Sequence, residues 1–173
     1  MVVFELIRSR RSIRKYKSDP VPEKDINRIL EAGIWAPSAG NLQPWEFILV
    51  RDALTKKALS NAAYGQTWVL EAPVVIVVCA NVPRTARFYG ERGSKLYCIQ
   101  DTAAAIQNML LAAHYLGYGT CWIGAFNEKM VKEILDMPEH VRPVAIITLG
   151  KPAENPPPPP RRPLKEVVHL EKY

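Results

Sequence analysis

The chain predicts a three-layer α/β/α sandwich, and three observations carry that expectation. Val74 to Cys79 is a continuous, largely β-branched run of the kind buried on both faces of a sheet. Lys95 to Leu116 is rich in Ala, Leu, Met and Gln and nearly free of charge, which suits a central helix buried around most of its circumference. Helical and strand-like segments alternate along the rest of the chain, which favours layers over a bundle or a barrel. At 173 residues, one domain (1–173) accommodates them all.

Each element has a local reason. Phe4 to Arg8 reads as a short opening helix. Pro22 suits a first helical turn, and Ile26, Ile29, Leu30 and Ile34 follow at helical spacing. That helix must end before Pro37, because the residue preceding a proline disfavours helical geometry. Trp45 to Val50 is strand-like, and Asp52 is placed to cap a helix carrying Leu54, Ala58, Leu59 and Ala62. Asn81 to Ser94, with Pro83, Gly90, Gly93 and several arginines, reads as an irregular surface excursion, a candidate lid. Phe88 and Tyr89 within it are candidate linings of a substrate pocket. Gly117 closes the long helix, and Thr120 to Ile123 is strand-like. Asn127 caps a helix bearing Met130, Val131, Ile134 and Leu135, and Val144 to Leu149 forms a last core strand. The tail, 151–173, contains Pro156 through Pro160 unbroken and reads as a stiff polyproline arm. It ends in an apolar stretch, Leu164 to Leu170, that is expected to form a strand on a second copy of the chain.

Composition narrows the function. Charged residues make up 23% and apolar residues 48%, ordinary for a globular protein. The longest apolar run, Ala72 to Ala80, is far shorter than the ~18 residues of a membrane helix. The start carries no secretory pattern, and the three cysteines lack disulfide or metal spacing, so a cytoplasmic protein without metal or membrane is expected. The net charge of +6 is concentrated near the start and at Arg161 and Arg162. No stacking aromatics or recognisable module accompany it, so the charge points to a small anion and not to nucleic acid.

Two motifs specify that anion. Arg10-Arg11-Ser12-Ile13-Arg14 packs guanidiniums around a hydroxyl; in extended geometry Arg10, Ser12 and Arg14 share one side, where they can saturate phosphate oxygens. Ala36-Pro37-Ser38-Ala39-Gly40-Asn41-Leu42-Gln43-Pro44-Trp45 threads hydroxyl and amide groups through a tight loop, a way to present hydrogen bonds to a flat polar ring. Ser38 is excluded as a nucleophile because a helix precedes the loop and a strand follows it, the reverse of a nucleophile elbow. Gly117-Tyr118-Gly119 is excluded as a dinucleotide fingerprint because Trp122 takes the third glycine's place.

Taken with Gln100-Asp101, Asn108, Leu111, Gly119 to Gly124 and Arg162-Pro163-Leu164, these motifs resemble the FMN-dependent nitroreductase family over nearly the whole chain. The resemblance implies an α+β fold, a three-layer α/β/α sandwich with a mixed central sheet and a C-terminal arm exchanged in a homodimer. It implies FMN, with NADH or NADPH as donor, and ping-pong reduction of nitroaromatics, quinones or similar acceptors through flavin N5. Arg10, Arg11, Ser12 and Arg14 would hold the phosphate and ribityl side, with Arg161 and Arg162 completing the clamp. Pro37, Ser38, Ala39, Asn41 and Gln43 would border the ring from the partner chain, and the Trp122-Ile123-Gly124 backbone would pass near N5. No protein nucleophile is implied, and Arg14 would stabilise the reduced flavin. Some relatives carry a lysine before the second core strand; here that region reads Gln66-Thr67-Trp68. An FMN-binding sensor or store without turnover is the alternative the same motifs allow.

Overall fold

The computed structural model describes residues 2–173. The elements follow in the order α1 (Val3–Ser9), α2 (Glu23–Ile34), β1 (Trp45–Val50), α3 (Ala53–Ala62), α4 (Trp68–Glu71), β2 (Val74–Asn81), α5 (Val82–Arg92), α6 (Cys98–Tyr115), β3 (Gly119–Ile123), α7 (Glu128–Ile134) and β4 (Val141–Gly150). The strands form one sheet in the order β1-β2-β4-β3.

The layers follow from side-chain alternation on β2, every residue of which is buried up to Ala80. Val74, Ile76 and Val78 pack with Ile26 and Ile29 of α2 and with Ile106, Met109 and Leu110 of α6. Val75, Val77 and Cys79 pack on the other face with Leu59 of α3, Val69 of α4 and Val131 of α7. Burying an aliphatic side chain stabilises by about 1.5–3 kcal/mol relative to exposure, so the two clusters supply the main cohesion. Trp45 belongs to a third cluster with Ala36 and Ala105 and is a packing residue. The local stops are those the sequence announces. The Asp52 side chain accepts from the Thr55 amide at 2.7 Å, Asn127 accepts from the Met130 amide at 3.1 Å, and Gly117 takes a left-handed φ of 81° just beyond α6.

Three expectations are corrected. The sheet is not mixed: all three strand pairings are antiparallel, and a single parallel bridge, Ser12 to Thr120, lies outside the strands. Helices cover both faces, so the apolar run of β2 needs no parallel neighbours. Residues 82–92 are helical, because Pro83 is tolerated in a first turn. The glycines there shape a kink: Gly90 adopts φ 55° and ψ −133°, and a Cβ on Gly93 would lie 2.4 Å from the Thr85 carbonyl oxygen. Leu164 to Leu170 forms no strand; Leu164–Glu166 is one 3-10 turn, with the apolar side chains exposed. An isolated apolar strand has no ladder partner within this chain.

A Cβ added to Gly119 would meet Ile13 Cγ1 at 2.7 Å and Ile13 Cβ at 2.8 Å, and β-branched Ile13 cannot swing away. We expect Gly119→Ala to destabilise the fold by about 1–3 kcal/mol, lowering the melting temperature by about 2–4 °C per kcal/mol. Calorimetry checks this; an unchanged melting temperature contradicts the close contact.

Candidate active site

The cationic segment is laid onto the sheet edge. The Ile13 amide donates to the Thr120 carbonyl at 2.8 Å, beside the Ser12–Thr120 bridge. The Lys17 amide donates to the Lys151 carbonyl and the Ala153 amide to the Lys15 carbonyl, both at 2.9 Å, which laces residues 15–17 to the chain leaving β4. Ile13 is buried, so its neighbours Ser12 and Arg14 turn away from the core. Tyr16 fastens the segment from within: its hydroxyl donates to the Ile13 carbonyl at 2.5 Å and lies 2.6 Å from Thr148 Oγ1. Burial pushes the Tyr16 phenol well above its ordinary value, keeping it a neutral donor.

The edge therefore concentrates positive charge. Arg10, Arg11, Ser12, Arg14 and Arg161 line a cavity of about 290 Å³ that Pro156, Pro157 and Pro159 of the arm help to wall. Burial first, then the Arg161 and Arg11 guanidiniums, pull Arg10 below its ordinary range. The cluster holds its charge at a cost that a bound anion would relieve. Burial, then Arg10 and Arg11, likewise lower the pKa of His114, which shares a 2.8 Å hydrogen bond with the Ser9 hydroxyl. Arg11 donates to the Arg8 and Arg10 carbonyls at 2.6 and 2.8 Å, closing the end of α1, where cations are favoured. Glu154 accepts from the Arg14 amide at 2.5 Å, and the Arg14 guanidinium stands 5.4 Å from the centre of the Trp68 ring. Along β3, Trp122 is 40% exposed and Ile123 is buried; Gly124 beyond it faces open space.

The amide loop is a separate rigid unit. Gly40, Asn41 and Gln43 all take left-handed φ values, 57°, 55° and 50°. For the two non-glycine residues this costs of order 1–3 kcal/mol each, a strain that clusters at functional positions. The loop is cross-tied: the Gln43 amide donates to Ser38 Oγ at 3.0 Å, and Gln43 Nε2 donates to the Asn41 carbonyl and Oδ1 at 3.1 and 3.2 Å. Pro37 leads into the loop. Ala39 anchors it, its amide donating to Asp101 Oδ1 at 3.1 Å. Asp101 is 6% exposed, and its Oδ2 has no hydrogen-bond partner among the described residues. Desolvation raises its pKa, with the Ala39 bond opposing. Arg84 Nε donates to the Leu42 carbonyl at 2.9 Å, and the Tyr89 hydroxyl crowds Gly40 so closely that a Cβ there would stand 2.7 Å away. Residues of α5 thus pack directly on the loop.

Of the residues singled out in the sequence, Arg10, Arg11, Ser12, Arg14 and Arg161 come together in one cavity, and Trp122, Ile123 and Gly124 follow along the strand whose Thr120 bridges Ser12. Arg162 does not join them; it donates to the Glu166 carbonyl at 2.9 Å and pairs with the Glu166 carboxylate at 3.6 Å. Pro37, Ser38, Ala39, Asn41 and Gln43 lie elsewhere. Their anchor Asp101 sits near the start of α6, whereas His114 beside the cationic cluster sits near its end, about 20 Å away at 1.5 Å per residue. The two groups of residues lie at opposite edges of one sheet and do not converge within one chain. Sequence reasoning missed Tyr16, Trp68 and Glu154, whose contacts span 54 to 140 residues, and gave Asp101 no role. Asp101 did carry a signal, as a carboxylate in a helix otherwise nearly free of charge.

Comparison with known proteins shows the family. The family model described as the nitroreductase family matches residues 7–70 and 62–151. An NADH dehydrogenase of Thermus thermophilus is 37% identical over 186 aligned positions, covering 92% of this chain and 91% of the relative. An FMN reductase [NAD(P)H] of Bacillus subtilis is 33% identical, covering 99% of this chain and 74% of the relative. The crystal structure of the NADPH:FMN oxidoreductase of Vibrio harveyi, complexed with NAD+, superposes with a TM-score of 0.91 at 31% identity, covering 98% of this chain and 77% of that one. The chain belongs to the nitroreductase family and is an NAD(P)H-dependent oxidoreductase.

Asp101 offers a pH test. Because its folded-state pKa is raised above the ordinary 3.8, the folded chain holds this proton more tightly than the unfolded chain. The stabilisation is fully present below the unfolded value and is lost as pH rises through the raised folded value. The wild type should therefore lose stability relative to Asp101→Asn as pH rises from about 4 across the acidic range, measured by urea unfolding. A difference constant across that range contradicts a desolvated carboxyl.

Proposed function

We propose that this protein is an FMN-dependent reductase that takes hydride from NADH or NADPH and delivers it to small oxidised acceptors, nitroaromatics or quinones among them. The observation that carries this reading is the crowded guanidinium cluster at the β3 edge, where Arg10 is depressed by burial and by its own cationic neighbours. That donor set suits a phosphate monoester, and the hydroxyl of Ser12 adds a neutral donor. Arg10, Ser12 and Arg161 hold the phosphate, Arg11 keeps the end of α1 in place, and Arg14 extends the positive field toward Trp122. Gly124 leaves open space for a planar ring alongside the β3 backbone. When bound, FMN supplies the hydride-accepting and hydride-donating ring.

The second half-site is supplied by another copy of the chain. The Pro37–Gln43 loop is preorganised but remote from the cations, and Leu164 and Leu170 of the arm are 79% and 84% exposed. A two-fold homodimer in which each arm, residues 151–173, covers the partner accounts for both features. Arg162 then lies beyond the polyproline run, in the part of the arm that reaches the partner. Donor and acceptor use one face of the ring in turn, which predicts ping-pong kinetics. Three buried free thiols suit a reducing cytoplasm.

The purified protein should show a flavin absorbance band that bleaches with NADH or NADPH under anaerobic conditions, and should oxidise the donor steadily once a quinone or nitro compound is added. A flavin band indifferent to both donors would instead identify a sensor or store. A subunit-mixing assay tests the shared site. Arg10→Ala and Asn41→Ala variants, each inactive alone, should regain about a quarter of wild-type activity when mixed, because half of random dimers carry one intact site of two. No recovery after demonstrated subunit exchange contradicts the two-chain site.

A further inference from the structure

We propose that Trp68 is a positioning residue that aims the Arg14 guanidinium while leaving its charge free, an inference that rests on the flavin reading. Trp68 opens α4, a helix of four residues directly before β2. Its edge is turned into the protein: Nε1 is enclosed with no oxygen acceptor among the described residues, and the indole neighbours the buried Cys121 thiol. The ring also packs against the cluster that holds Leu59, Val69 and Val131. Gln66, two residues earlier, ties the preceding turn down by donating through Nε2 to the Ala63 and Ala125 carbonyls at 2.9 and 3.0 Å. The half-buried ring is thus held by the core on one side and meets Arg14 at 5.4 Å.

Arg14 is exposed and, among the described residues, has no carboxylate within ion-pair distance of its guanidinium. Its backbone is held, since Glu154 accepts from its amide. An unrestrained arginine side chain carries roughly 2 kcal/mol of rotamer entropy. A carboxylate partner would order it but would cancel the field it presents. An aromatic face orders it through cation–π attraction, worth about 0.5–1 kcal/mol at exposed sites, and cancels nothing. Glu154 holding the main chain and Trp68 holding the side chain give Arg14 a fixed guanidinium with no ion-pair partner among the described residues. Such a charge favours the anionic, reduced form of a flavin over the neutral, oxidised form.

The test compares dissociation constants for oxidised FMN and for dithionite-reduced FMN. Trp68→Leu should lower the preference for the reduced form by about two- to fivefold, matching the loss of a cation–π contact. Trp68→Phe should retain most of it, and Trp68→Leu should have no effect in an Arg14→Met background. An equal fall in both backgrounds, or none in either, overturns the positioning role. Arg14→Lys keeps the core intact and the charge present but removes flat stacking; it should reproduce the fall if Trp68→Leu does not fold. A flavin-free readout stands beside these. In the apoprotein, the Arg14 Nε–H resonance should be shifted by the Trp68 ring current and return toward its solvent position in Trp68→Leu, and an unmoved resonance overturns the contact. A wild type that takes up no FMN overturns the flavin reading, whereas FMN uptake indifferent to Trp68 overturns only this inference.

Discussion

The constraint on which the rest of the structure depends is the backbone lacing of residues 12–17 to the exposed edge of β3 and to the chain leaving β4. Three hydrogen bonds and two bridges place Ser12 and Ile13 on Thr120, and Lys15, Tyr16 and Lys17 beside residues 151–153. The lacing occupies an edge that would otherwise present unpaired amides and carbonyls to any passing strand. It also removes the freedom that would let a run of arginines spread into solvent. Gly119 permits the closest approach, Ile13 plugs the core, and Tyr16 closes the gap to Thr148. Arg10 and Arg14 are left on the outer side with Arg161 brought in from the arm. Like charges held together in this way create a demand for an anion, and that demand links the fold to the chemistry.

The opposite edge solves a different problem. The Pro37–Gln43 loop stores backbone strain at Asn41 and Gln43, and its hydrogen-bonding groups are largely committed to one another. A loop this closed offers one shape. The anchor, Asp101, is buried with one carboxyl oxygen unpartnered, so the loop position is set at the expense of stability. Preorganisation on both edges suits a cofactor that must stay in one orientation while its donor and acceptor exchange. The two edges lie apart within one chain, which is why the proposed site draws on a second copy.

Much of this was legible in the sequence, for physical reasons that differ by element. The β2 run and the long helix α6 were plain because periodicity and length leave few alternatives for such apolar segments. Asp52, Asn127 and Gly117 were plain because capping is local. The helix α5 was hidden because Gly90 and Gly93 look like loop punctuation but serve as a kink and a close contact. The sense of the strands was hidden because burial on both faces does not distinguish parallel from antiparallel neighbours once helices cover both. The arginines were visible as a cluster, since Arg10 and Arg14 are adjacent in the chain. Their company was not: Glu154 and Trp68 reach Arg14 across 140 and 54 residues, and no spacing rule foretells that.

The central claim is that the cationic β3 edge is built for a phosphate monoester. The most direct measurement is a titration of the apoprotein with FMN and, in parallel, with riboflavin, which has the same ring and no phosphate. Charge-assisted hydrogen bonds contribute about 1.5–3 kcal/mol each, so FMN should bind at least about a hundredfold more tightly. Equal affinity for the two would contradict the account, because the arginines would then be doing something else.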